Sequence, residues 1–175
     1  MLFGYIAAVV AGFLLTAVPN WTGRLPLQGG PLVLLFSIWV AGRVAVSVSA
    51  WIGWGLAAAI DSLFLIVLAA AAAREIIAGR KWGNLTIVVI VSLLAAGNIA
   101  FHLEAHFAGH AEYATHGGVA MVIVLIALIG GRIIPSFTRN WLARQGPGKM
   151  PSPFGRFDAA TMAVTVLVLS LWVVR

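Results

Sequence analysis

Apolar residues gather along the chain in six runs, at Leu2 to Val18, Pro31 to Val48, Trp54 to Ala73, Leu85 to Phe101, Gly117 to Ile134 and Ala159 to Val174. A helix needs about 20 such residues to cross a hydrocarbon layer of about 30 Å, so each run is predicted to span a membrane. The run ends carry matching signals: Pro19 is expected to stop the first helix, Pro31 to open the second, Pro135 to stop the fifth and Asp158 to cap the sixth. No charged residue precedes the first run, and its Pro19-Asn20-Trp21 ending is unlike the small-residue site at which a signal peptide is cleaved. This helix is therefore expected to stay in the mature chain. The predicted fold is all-α, a polytopic transmembrane bundle of about six spans, with residues 1–175 as a single transmembrane domain.

The polar stretches between the runs alternate in charge. After the first, third and fifth runs come Arg24, then Arg74, Arg80 and Lys81, then Arg132, Arg139, Arg144, Lys149 and Arg156. The two other connections, near Ser49 to Gly53 and from His102 to His116, hold no lysine or arginine, and the second holds Glu104 and Glu112. Because basic connections stay in the cytoplasm, the first group is expected inside and the second outside, with Met1 outside as well. A multi-pass protein of a bacterial inner membrane, with lipid as its first partner, fits this layout.

Composition agrees: 62% of the residues are hydrophobic and 9% charged, against about 25% charged in a soluble domain. The formal net charge of +6 belongs to the alternating connections and forms no basic patch interleaved with aromatics, which argues against nucleic acid as a partner. Without cysteine, disulfides and thiolate metal sites are excluded, leaving imidazole, carboxylate or thioether to hold any metal.

Charged side chains inside a span are costly and usually meet a partner or line a wet cavity. Arg43 and Asp61 lie at equal depth on the second and third helices, about 10 Å below the outer surface at about 1.5 Å per residue, and are expected to pair. The pair can serve as a lock between helices, or Arg43 can neutralise an anionic cofactor group such as a haem propionate. Asn98, His102, His106 and His110 recur every four residues and would form one stripe on a continuing helix, with Asn98 near the Arg43 and Asp61 layer. Histidines four apart, such as His102 and His106, can reach one metal ion, and neutral imidazole suits copper, zinc and haem iron. The bland alternative for His106, His110 and His116 is a set of solvated loop residues. Because Asn98 is polar and deep, it is expected to face protein, and His102 should share its inward direction.

Gly130-Gly131-Arg132-Ile133-Ile134-Pro135-Ser136-Phe137-Thr138-Arg139-Asn140-Trp141 combines glycines suited to close packing with a helix stop, two arginines and aromatic anchors. As a plain border segment it needs no further role. Gly4, Gly12, Gly42, Gly55 and Gly97 are expected to let helices approach closely. A weak repeat relates Pro19-Asn20-Trp21-Thr22 and Gln28-Gly29-Gly30-Pro31 to Pro135-Ser136-Phe137-Thr138 and Gln145-Gly146-Pro147, as in a duplicated bundle.

Gly12 to Gly23 (GFLLTAVPNWTG) and the Gly130 to Trp141 segment resemble signatures of the NnrS family, and the likeness runs through the chain to Asn98, His102 and Glu104. The resemblance implies a multi-spanning inner-membrane protein that contains haem and copper and is linked to nitric oxide metabolism and nitrosative stress resistance. Of the four histidines, only His102 matches the family pattern. The chain has about half of the usual family length and lacks the His-Glu pair that tends to precede the position of Met1, so it is expected to be part of a longer fold. The cofactors implied are haem and copper, with His102, Arg43 and Asn98 as candidate cofactor-binding residues and His102 and His106 as candidate metal ligands. A second copy, or the missing half of the fold, is an expected partner. Two other functions are compatible with the residues: a small-solute or proton-coupled transporter with Arg43, Asp61 and Asn98 along its path, and a non-catalytic membrane scaffold.

Overall fold

The computed structural model describes residues 2–146 and 148–175, without the Arg132 side chain. Met1, Pro147 and that side chain, all named above, lie outside the described residues. Seven α-helices occur among them: α1 (Ala7–Thr22), α2 (Gly30–Ser47), α3 (Ser49–Ile52), α4 (Trp54–Ala78), α5 (Leu85–Ala108), α6 (Glu112–Gln145) and α7 (Arg156–Val173). A single π turn, Leu2–Ile6, leads into α1, and a 3-10 turn, Trp82–Asn84, leads into α5. With the π turn counted with α1 and the 3-10 turn with α5, every helix but α3 is long and apolar enough to cross a membrane, giving the six spans expected from the apolar runs. No strand is present among the described residues.

The chain divides into two compact units, Met1–Gly118 and Val119–Arg175. In the first, α4 is the central helix, touching α1, α2, α3 and α5. Its Leu65, Leu68 and Ile76 are fully buried, as are Leu14 of α1 and Ile87 and Val91 of α5. Small residues bring the helices together, as membrane packing requires when apolar burial gives no preference over lipid. A Cβ on Gly42 of α2 would come within 3.1 Å of the Asp61 Cα on α4, and one on Gly79 within 2.8 Å of Thr22 Cβ. Gly12 and Gly55 have open space where a side chain would sit, so they mark no close approach.

Two proline expectations are corrected. Pro19 lies inside α1, which continues to Thr22 and ends where Gly23 turns left-handed (φ 71°) and donates its N–H to Pro19 O at 2.8 Å. A proline near a helix end forfeits only one backbone bond, here the one to Leu15 O, and Asn20 Nδ2 adds a side-chain bond to the neighbouring carbonyl, Thr16 O, at 3.1 Å. Likewise Pro135 lies inside α6, which runs on to Gln145. Pro31, by contrast, sits in the first turn of α2, where its missing N–H costs nothing. Asp158 caps α7 from within the first turn, accepting the Gly155 N–H at 2.8 Å.

In the second unit, Arg139 Nη2 donates to Pro151 O at 2.9 Å and ties α6 to the segment after it. Gly131 has nothing within 4 Å of a Cβ, so it is not a close-packing glycine among the described residues. No residue of α7 is buried.

Candidate functional site

The site rests on an antiparallel register between α4 and α5. Asn98 and His102, one helical turn apart on α5, both reach Asp61 of α4, and His106, the next turn along, stacks on Trp54 near the start of α4 with ring centroids 4.0 Å apart. The four-residue spacing thus becomes one stripe facing α4. It ends at the helix end: α5 stops at Ala108, and Gly109 (φ 77°) turns the chain left-handed. His110 therefore lies beyond the stripe, and the expectation of three imidazoles on one face is corrected to two. His116 lies on α6.

Asp61 is the hub of the cluster and is only 5% exposed. Its Oδ1 forms a salt bridge with Arg43 Nη2 from α2. Its Oδ2 accepts from Asn98 Nδ2 at 3.2 Å and lies 3.0 Å from His102 Nε2. The pairing of Arg43 with Asp61 and the inward direction of His102 are thus as the sequence indicated. One carboxylate draws together side chains from three helices, and each contact is strengthened by the low dielectric around it.

Two contacts with the π turn that precedes α1 complete the setting. The Arg43 guanidinium lies against Gly4, where a Cβ would collide with it, and Trp39 Nε1 donates to Gly4 O at 3.0 Å. Gly4 belongs to the π turn, whose altered hydrogen bonding is a frequent companion of functional positions. Three buried polar atoms have no partner among the described residues: Arg43 Nε, Ser62 Oγ and Asn98 Oδ1. Gly4 was among the glycines expected to allow a close approach, and it does so against Arg43, whereas Trp39 and Ser62 were not singled out from the sequence. Ser62 follows Asp61, and that adjacency was the only available signal.

Glu104 lies two residues beyond His102 and faces the next helix. Its carboxylate accepts the backbone N–H groups of Tyr113 (3.0 Å) and Ala114 (2.8 Å), first-turn donors of α6 that have no partner within their own helix. The bond set holds the α5 to α6 connection close to the end of α5 that carries His102.

The arrangement can neutralise, orient and hydrogen-bond. Among the described residues there is no group of three histidine, cysteine, aspartate or glutamate side chains that could hold a metal ion. His102 and His106 meet different partners, a carboxylate and an indole. A separate cavity of about 50 Å³ between α1 and α4 is lined by Leu14, Val18, Pro19 and Leu68 and includes none of the cluster.

No curated protein and no solved structure matched the chain. The family described as NnrS protein matches over residues 1–175. A chain of six apolar helices long enough to cross a membrane, matched by that family model from end to end, belongs to the NnrS family.

Proposed function

We propose that the protein binds haem and copper in the bacterial inner membrane and serves nitric oxide metabolism and resistance to nitrosative stress, with His102 supplying one ligand near the outer surface. Family membership supports the setting. The observation that carries the role of His102 is its inward direction: one ring nitrogen is on Asp61, and the side chain is still 15% exposed. One neutral imidazole fits one coordination position of a haem or a copper ion. The other ligands come from a second copy of the chain or a further segment of a longer fold. A bound haem or copper would supply an open coordination position for a small diatomic molecule.

Arg43, Asn98 and Asp61 act on such a group by fixing the imidazole. The direct pairing of Arg43 with Asp61 favours the locking role of this arginine over a propionate counter-ion. His106, stacked on Trp54, flanks the site and is the weaker candidate ligand.

The test is absorbance of the purified protein in the Soret region, together with metal analysis. A coloured, copper-containing protein is expected, and His102→Ala should lower haem or copper content while His110→Ala changes it far less. A colourless, metal-free protein would count against the reading. It would favour a transporter, for which the unpartnered Ser62 Oγ and Asn98 Oδ1 offer a polar path, or a membrane scaffold.

A further inference from the structure

The cavity between α1 and α4 has an apolar floor and a charged rim. Leu14 and Val18 of α1 and Leu68 and Ala72 of α4, all buried, form the floor. Arg74 and Glu75 stand at the rim, about one turn before α4 ends at Ala78. Arg24 neutralises Glu75 at 2.6 Å, whereas Arg74 is exposed and has no ion-pair partner among the described residues. The basic connections assign this end to the cytoplasm, and Trp82, 60% exposed just beyond α4, is the residue type that settles at the level of lipid headgroups. At about 10–15 Å³ for a water-sized group, a cavity of about 50 Å³ has room for about four of them, a few methylenes of an alkyl chain. The side chains of the floor offer water no hydrogen bond, so an apolar chain suits it better.

We propose that this cavity is a binding site for one anionic phospholipid of the cytoplasmic leaflet, with an acyl chain on the apolar floor and the headgroup phosphate on Arg74. The floor alone selects nothing, because lipid tails are as apolar as leucine, but it gains contacts that an empty cavity lacks. Selection comes from the rim: a guanidinium matches a phosphate in shape and charge, and basic pockets between helices on this side of a membrane take anionic headgroups. A free phosphate would leave the floor uncovered, which favours the lipid as its source. None of these residues belongs to the Asp61 cluster, so the site stands apart from the haem and copper reading. A lipid seated here joins α1 to α4 at the opposite end of the unit from His102.

The test is native mass spectrometry of the purified protein with phosphatidylglycerol and phosphatidylcholine of identical chains. One phosphatidylglycerol should be retained in preference to phosphatidylcholine. Arg74→Gln should weaken its binding about five-fold, the effect of one basic residue at an anionic surface, and leave phosphatidylcholine unchanged. Lys81→Gln removes a charge from the same connection outside the cavity and should change far less. Ala71→Phe, which fills the cavity from α4, should weaken both lipids. Equal binding of the two lipids, or equal losses in Arg74→Gln and Lys81→Gln, overturns the proposal in favour of a diffuse attraction to the whole basic end. Full retention of phosphatidylglycerol by a folded Ala71→Phe protein overturns the seat of the acyl chain; if that variant does not fold, the two glutamine variants still decide. Displacement of phosphatidylglycerol by excess inorganic phosphate would make the ligand a free anion and overturn the lipid.

Discussion

Asp61 and Arg43 are coupled so closely that changing one alone differs in kind from changing both. Removing the carboxylate leaves a guanidinium among packed helices, and breaking one side of a buried pair costs about 3–5 kcal/mol. Asp61→Ala should therefore lower the unfolding temperature of the purified protein sharply. Replacing Arg43 and Asp61 together by leucine should restore most of the loss, because two apolar side chains leave no charge to solvate. If the double variant is as unstable as the single one, the pair is not a lock between α2 and α4. Gly42→Ala tests the same crossing by crowding: its Cβ would lie 3.0 Å from Asp61 Oδ1 and 3.1 Å from the Asp61 Cα, and overpacking of this kind costs about 1–3 kcal/mol. A thermal scan showing no loss would mean that α2 and α4 slide apart freely. Arg43, Asp61 and the inward turn of His102 were legible in the sequence, because equal depth and a four-residue offset from Asn98 are properties of a helix alone. The seat of Arg43 against Gly4 was not legible, since it depends on which helix starts beside α2 and on a π turn that no residue pattern announced.

At the scale of elements, the ends of helices were less predictable than their existence. The apolar runs gave the six spans, but Pro19 and Pro135 were weighed as stops when each removes only one backbone donor from a helix that other bonds sustain. The end of α5 shows the converse. From the sequence, Glu104 was only part of an acidic connection, whereas its carboxylate closes on the first amides of α6. Glu104→Ala should speed hydrogen exchange at the Tyr113 and Ala114 amides and leave exchange in the middle of α5 unchanged. Equal protection in the variant would show that these donors have other partners. His106 was read as either ligand or loop residue, and its stacking on Trp54 depends on the antiparallel register of α4 and α5, which the one-dimensional pattern did not contain.

On the scale of the molecule, the first unit has two distinct ends. Arg24 pairs with Glu75 at 2.6 Å and Thr22 meets Gly79 at one end, while Trp54 meets His106 at the other. The connections after the first and third spans thus share an end, as the alternation of basic residues requires. With that end in the cytoplasm, a cysteine at Ala108 should react with an impermeant thiol reagent in cells whose inner membrane is intact, and one at Gly148 should not. The opposite labelling would invert the orientation. The contact between Arg43 and Asp61 then bears on how an energised membrane acts on the protein. Two opposite charges in contact present no net charge to a transmembrane voltage, so the resting cluster is electrically silent. Neutralising Asp61 would unmask one charge about 10 Å into a layer of about 30 Å, where about a third of the field has been crossed, about 0.8 kcal/mol per 100 mV. An Asp61→Asn protein would thereby become sensitive to voltage: energising the membrane would pull Arg43 toward the cytoplasm and strain the α2 to α4 crossing, while the native protein would not respond.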